Sequence, residues 1–194
     1  FLMTFDLGRS TYLNGIVREL QELSNLPAGK SILEIGCGNG IGTRLINEYF
    51  KPAGFIATEY DESLVEIAQS KNKDSNVHVE AGNAADMRFA DNEFDAVIGL
   101  SVIHHIPNWE DSLNELQRVL KPGGLLIIKE LSIDTFETPF GRIARRFVEH
   151  PYDDMFGKNE FLDYLQQKGL KILVTRPHSM LGLLTDFYLV AQKE

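Results

Sequence analysis

Ser31-Ile32-Leu33-Glu34-Ile35-Gly36-Cys37-Gly38-Asn39-Gly40-Ile41-Gly42-Thr43 decides the fold of this chain. Ile32, Leu33 and Ile35 form a short apolar run of the length a buried strand has. Gly36, Gly38 and Gly40 follow at alternate positions. Without Cβ atoms the backbone there can turn sharply and a ligand can come close. The residues after Gly40 predict a helix, whose N-terminal amides would point at that ligand. Strand, glycine turn and helix in this order open the nucleotide-type sites of parallel α/β sheets. A dinucleotide fingerprint, G-x-G-x-x-G, needs its third glycine at position 41, and Ile41 stands there. The pattern is instead Glu-x-Gly-x-Gly-x-Gly, from Glu34 to Gly40.

Before this stretch, Ile16, Val17, Leu20 and Leu23 recur at helical spacing within residues 9–24, and Pro27 and Gly29 end that helix. After it, the helix runs to about Tyr49 and breaks at Lys51-Pro52-Ala53-Gly54. Residues 55–58 read as a second strand with Glu59 at its end. Asp61 suits the N-cap of a helix carrying Leu64, Val65, Ile67 and Ala68. A short third strand covers 77–79. The fourth, 94–100, is apolar almost throughout, as parallel strands buried on both faces are. A helix at 109–120 stops at Lys121-Pro122-Gly123-Gly124, before a fifth strand at 125–129.

This alternation predicts a doubly wound, mostly parallel α/β sheet of Rossmann-like form. Residues 132–158 break the rhythm: Pro139, Gly141, Pro151 and Gly157 surround a helical piece at 142–149. A helix at 159–168 and strands at 170–175 and 186–192 bring the total to seven strands. The last two form an antiparallel hairpin on the sheet edge. The expected organisation is one domain: a helical cap over 1–30, a core over 31–130, a lid-like insertion over 132–158, and a C-terminal helix with edge strands over 159–194.

The 194 residues suffice for one such domain with its own core. A net charge of −9 is a poor match for binding along a nucleic-acid backbone. The single cysteine, Cys37, excludes an internal disulfide and a cysteine metal cluster. With no signal peptide and no apolar run of spanning length, the expectation is a soluble cytoplasmic protein. The chain begins at Phe1, which leaves open whether residues precede it.

Glu59 lies about twenty residues past the glycine turn, where a carboxylate at a strand end can accept both hydroxyls of a ribose. Tyr60 is placed to pack against an adenine face. Gly82-Asn83-Ala84 follows the third strand, and Phe89-Ala90-Asp91-Asn92-Glu93-Phe94-Asp95 leads into the fourth. Leu100-Ser101 ends the fourth strand, and His104-His105 follows. Leu116-Gln117-Arg118-Val119-Leu120-Lys121-Pro122-Gly123-Gly124 precedes the fifth.

In this order, over residues 31–130, these segments resemble the motifs of class I S-adenosylmethionine (SAM)-dependent methyltransferases of the small-molecule type. Glu34 to Gly40 resembles motif I of that family. Asn83 stands where the family usually has Asp; its amide can still accept from and donate to an adenine. The resemblance implies a SAM site formed by Glu34, Gly36, Cys37, Gly38, Gly40, Glu59, Tyr60, Asn83, Ala84, Leu100 and Ser101, with Leu100 and Ser101 beside the transferred methyl. Cys37 would only fill the turn. His104 and His105 are the candidate catalytic residues, as general base or as groups orienting the nucleophile. No metal is expected.

The implied acceptor is a small molecule or lipid-like metabolite. Arg142, Arg145 and Arg146 share one face of the 142–149 piece, opposite Ile143, Phe147 and Val148. That face suits an anionic acceptor or peripheral contact with a membrane surface. A SAM-binding partner protein without catalysis is the alternative, and an NAD-dependent oxidoreductase a weaker one. The chain has Leu-Ser-Val-Ile at 100–103, not the Asn/Asp-Pro-Pro-Tyr/Phe motif of N6-adenine and glutamine methyltransferases.

Overall fold

A computed structural model describes residues 6–147, 150–180 and 184–194. The elements are α1 (Asp6–Ser24), β1 (Ser31–Ile35), α2 (Ile41–Phe50), β2 (Gly54–Glu59), α3 (Glu62–Asn72), β3 (Val77–Ala81), β4 (Phe94–Leu100), α4 (Trp109–Val119), β5 (Leu120–Leu131), α5 (Asp134–Glu137), α6 (Pro139–Ala144), α7 (Lys158–Gln167), β6 (Leu170–Met180) and β7 (Leu184–Lys193). The strands form one seven-stranded sheet in the order β3-β2-β1-β4-β5-β7-β6. β1 to β5 pair parallel, and β7 runs antiparallel to both β5 and β6. The antiparallel β6–β7 hairpin lies on one sheet edge as expected, with β6 outermost.

Alternation along each strand divides the core between the two sheet faces. Ile32, Ala96, Ile98 and Ile127 face one side, with Ile16, Leu20, Ile46 and Phe50 from α1 and α2. Leu33, Val97, Leu126 and Ile128 face the other, with Leu113 and Leu116 of α4 and Phe161 and Leu165 of α7. This double burial is why β4 reads as an unbroken apolar run.

Local chemistry sets the boundaries. Asp61 caps α3 by accepting from the Ser63 amide at 2.8 Å. Thr138 caps α6 by accepting from the Gly141 amide at 3.0 Å, and Pro139 takes the first helical position, where no amide is needed. Residues 121–124, expected as a turn before a strand, lie within β5. They fall where the pairing with β4 jumps from Phe94–Leu120 to Ala96–Leu125, so they bulge from the ladder. The helix expected at 142–149 is α6, ending at Ala144, with a turn at 145–147. Val148 and Glu149 lie outside the described residues.

Candidate active site

The order of the sheet reverses between β1 and β4, and the crevice at their carboxyl ends is where open α/β sheets hold ligands. The glycine turn after β1 lies at this crevice, and its Gly36 lines the cleft there. Gly36 and Gly40 have φ of +60° and +78°, in the left-handed region. A Cβ on Gly36 would lie 2.1 Å from Val102 Cγ2, and one on Gly40 would lie 2.6 Å from Asn72 Nδ2 and 2.9 Å from Ala68 Cα. These two glycines are therefore required by the protein's own packing as well as by turn geometry. Asn72 holds the turn down by donating to the Gly40 carbonyl at 3.1 Å.

The turn is tied to the end of β2. The Cys37 amide donates to the Thr58 carbonyl at 3.0 Å. The Gly38 amide donates to Glu59 Oε2 at 2.8 Å, while Glu59 Oε1 accepts from the amides of Tyr60 and Asp61 at 2.8 and 3.1 Å. The Gly82 amide donates to the Glu59 carbonyl at 2.9 Å, which brings the loop after β3 to the same place.

A cleft of about 420 Å³ opens there. Of the residues singled out in the sequence, Gly36, Glu59, Tyr60, Asn83, Ala84 and His105 line it. Tyr60 is 79% exposed, so its ring stands at the wall with little protein over it. Asn83 Oδ1 accepts from the Ala85 amide at 3.0 Å, which fixes the side chain. The remaining candidates do not line the cleft. Glu34 is buried, and its Oε2 has no hydrogen-bond partner. Burial lifts its carboxyl to about 8, with the Glu59 charge adding to the effect. Burial likewise pushes the Cys37 thiol up, so the thiolate is strongly disfavoured. Leu100 packs over Gly42. Ser101, with φ of +59°, accepts from Lys129 Nζ at 2.8 Å, and Lys129 is paired with Asp186 at 2.5 Å.

The two histidines differ. His104 is 3% exposed, with its Nδ1 2.7 Å from Glu130 Oε2. Glu130 Oε1 accepts from the Val102 and Ile103 amides at 2.7 and 2.9 Å. Burial opposes ionisation of Glu130, but His104 and those two amides outweigh it and hold the carboxyl below its usual range. The carboxylate can only accept, so His104 Nδ1 carries the proton. His105 is more open, at the cleft wall. Burial, then the neighbouring His104 and His150, lower its pKa to about 4.

None of Arg142, Arg145 and Arg146 lines the cleft. Because α6 stops at Ala144, the three do not share one continuous helical face. All three are exposed, and Arg145 lies 4.6 Å over the ring of Tyr152.

Sequence reasoning missed the other walls of the cleft, Thr58, Val102 and the run Ile106-Pro107-Asn108, and had Gly82 only as part of the Gly82-Asn83-Ala84 segment. Pro107 before the helix at 109 was a usable sign that this run is a fixed loop. Glu130, Asp186 and His150 were also missed. They come from distant parts of the chain, and no local spacing joins them to His104 or Lys129. A second cavity of about 430 Å³, between α1 and the β6–β7 hairpin, shares no residue with the cleft.

The fold and the cleft define a doubly wound α/β domain with a nucleotide-type site at its switch point. Residues 33–128 match the methyltransferase domain family, and the chain belongs to the class I SAM-dependent methyltransferases. It is 33% identical over 148 residues to a demethylmenaquinone methyltransferase of Staphylococcus carnosus, covering 73% of this chain and 61% of that one. It is 31% identical over 99 residues to a fatty-acid O-methyltransferase of Mycolicibacterium smegmatis, covering 51% and 36%. The chain thus spans less than two thirds of the length of these curated relatives. A crystal structure from Pyrococcus horikoshii superposes with a TM-score of 0.81 at 17% identity, covering 100% of this chain and 96% of that one, a likeness of fold.

Proposed function

We propose that this protein transfers a methyl group from SAM to a small-molecule or lipid-like acceptor. The observation that carries the reading is the Gly38–Glu59 hydrogen bond at 2.8 Å, which sets a backbone turn and a strand-end carboxylate against one cleft. The residues fit the cofactor. The turn has no room for side chains at Gly36 and Gly40, where they would strike Val102, Asn72 and Ala68, so its tight backbone course is fixed. Glu59 would take the ribose hydroxyls, and Asn83 and Tyr60 the adenine.

Bound SAM supplies an electrophilic methyl carbon. The chain's own task is then to fix the acceptor in line and exclude water, which contributes several kcal/mol. His105, at the wall, would orient the acceptor or receive its proton. His104, locked by Glu130, would act as a positioning residue.

The insertion at 132–158 would cover the acceptor. Phe140, Ile143 and Phe147 are exposed large apolar side chains on it, beside the three arginines. That combination suits an acceptor with an apolar body and an anionic or polar head, or a membrane surface presenting one. The relatives' named substrates, a quinone and a fatty acid, are of that kind.

Calorimetry with SAM, S-adenosylhomocysteine and NAD tests the cofactor. The first two should bind and NAD should not; absence of both adenosyl ligands would end the proposal. Transfer of labelled methyl to a panel of quinone precursors, fatty acids and polar metabolites then tests the acceptor. Binding without turnover on any fraction of a metabolite extract would favour the non-catalytic reading.

A further inference from the structure

His104, His105 and His150 converge at the carboxyl edge of the sheet. One ligand nitrogen from each lies within 4.8 Å of the others. Ring centroids are 4.1 Å apart for His104–His105, 5.4 Å for His104–His150 and 5.0 Å for His105–His150. Two of these rings follow β4 and the third comes from the insertion, so the cluster joins elements distant in sequence. We propose that these three histidines bind one divalent transition ion of the zinc type, beside the cleft.

Several features of the cluster are those of a metal site. Around a tetrahedral zinc with Zn–N bonds of about 2.0–2.1 Å, ligand nitrogens lie about 3.3 Å apart. Small ring rotations therefore bring the three nitrogens onto one ion. His104 is already set for ligation. Its Nδ1–H donates to the buried Glu130, whose other oxygen is held by two backbone amides, so Nε2 is its nitrogen for ligation. A carboxylate behind a histidine in this way fixes the tautomer and raises the basicity of the ligating nitrogen. His150 is flanked by the rings of Phe136 and Tyr152, at centroid distances of 5.4 and 5.9 Å, which limits its rotation. Imidazole nitrogen suits zinc, copper, iron and nickel, whereas oxygen ligands suit magnesium and calcium.

Three protein ligands leave a fourth position open, the pattern of catalytic rather than structural zinc. His105 lines the cleft, so that position is reached from it. An acceptor hydroxyl or enol bound there would be polarised as a Lewis-acid ligand is. The ion would also tie the insertion, through His150, to the end of β4.

The test uses the full chain and Zn²⁺ alone, without cofactor, so it stands apart from the SAM reading. After metal removal, calorimetric titration with Zn²⁺ should show one site per chain. Separate His105→Ala and His150→Ala variants should each lower affinity at least tenfold. Glu130→Gln, which keeps the shape of the carboxyl, should lower it ten- to a hundredfold. The double variant His78→Gln/His178→Gln, outside the cluster, should bind as the parent does. Co²⁺ in place of Zn²⁺ should give the intense visible bands of a four-coordinate ion, lost in His150→Ala. Thermal melts of each variant serve as the fold control. No stoichiometric binding, or binding unchanged in folded His105→Ala and His150→Ala, overturns the proposal and leaves the three rings as packing alone.

Discussion

Glu59 Oε2 accepts from the Gly38 amide at 2.8 Å, while its other oxygen accepts from the amides of Tyr60 and Asp61. One carboxylate thus organises two loops through three backbone donors. A ligand hydroxyl arriving at Glu59 meets an acceptor that is already oriented, so little ordering is left to do on binding.

Glu59→Ala should therefore lose more than one contact. Charge-assisted hydrogen bonds contribute roughly 1.5–3 kcal/mol each, so S-adenosylhomocysteine affinity should fall about ten- to a hundredfold. Calorimetry on a variant with native circular dichroism is the measurement. Unchanged affinity removes the ribose assignment.

The glycine turn gives a contrast between two positions. At Gly36 a methyl group would collide with Val102 and sit at positive φ, so Gly36→Ala should cost on the order of 1–3 kcal/mol of stability. That is a drop of several degrees in Tm for a domain of this size. Gly38 also has a positive φ, of +55°, so Gly38→Val strains the turn, and it should in addition abolish binding of S-adenosylhomocysteine, because a branched side chain would stand in the ligand's path. A Gly36→Ala protein that melts like the parent would contradict the Val102 contact. Normal ligand binding by folded Gly38→Val would remove the turn from the site.

Glu34 makes stability depend on pH in an unusual direction. Its carboxyl is lifted from 4.5 to about 8 in the folded protein, so between those values the folded chain holds a proton that the unfolded chain has lost. Its contribution is fully present below pH 4.5 and is lost as pH rises towards 8. Glu34→Gln cannot ionise, and its stability should not carry this loss. Denaturant titrations at pH 5 and pH 8.5 should show the gap between variant and parent widening at the higher pH. A gap that narrows would reject the assignment.

Replacing Arg142, Arg145 and Arg146 with Gln should raise KM for an anionic acceptor and leave SAM affinity alone. Arg145 needs separate treatment because it lies over Tyr152, and its loss removes about 0.5–1 kcal/mol of packing as well as charge. The pair Arg142→Gln/Arg146→Gln avoids this. Steady-state kinetics with the double and triple variants should rank double below triple in KM. No change in KM with an anionic acceptor discards the role.

Much of the core was legible because its signals are local. Ile32 to Gly40 encodes a strand and turn within nine residues, and Phe94 to Leu100 encodes burial on both faces in its own composition. Glu59 could be placed because strand length fixes where a carboxyl end falls. The chain from Lys121 onward was harder. Lys121-Pro122-Gly123-Gly124 carries turn chemistry, yet it sits inside β5, where pairing on both sides of the bulge overrides it. Arg142 to Glu149 has helical periodicity, but the helix that forms starts earlier, at Pro139, under a Thr138 cap. The Glu130–His104 and Asp186–Lys129 pairs could not be read at all. Each depends on which strands become neighbours, and β7 beside β5 is a fact of topology that no spacing in the chain expresses.

That placement of β7 has a consequence for how the molecule is made. It is the last of the seven strands to leave the ribosome, yet its final position is interior, between β5 and β6. Until it arrives, β5 carries an unpaired edge with apolar side chains on both faces, and β6 has no neighbour. The nascent sheet is then open to pairing with other chains. Synthesis that stalls before Leu184 leaves a five-stranded sheet with an open, aggregation-prone edge, and such a product depends on chaperones for solubility.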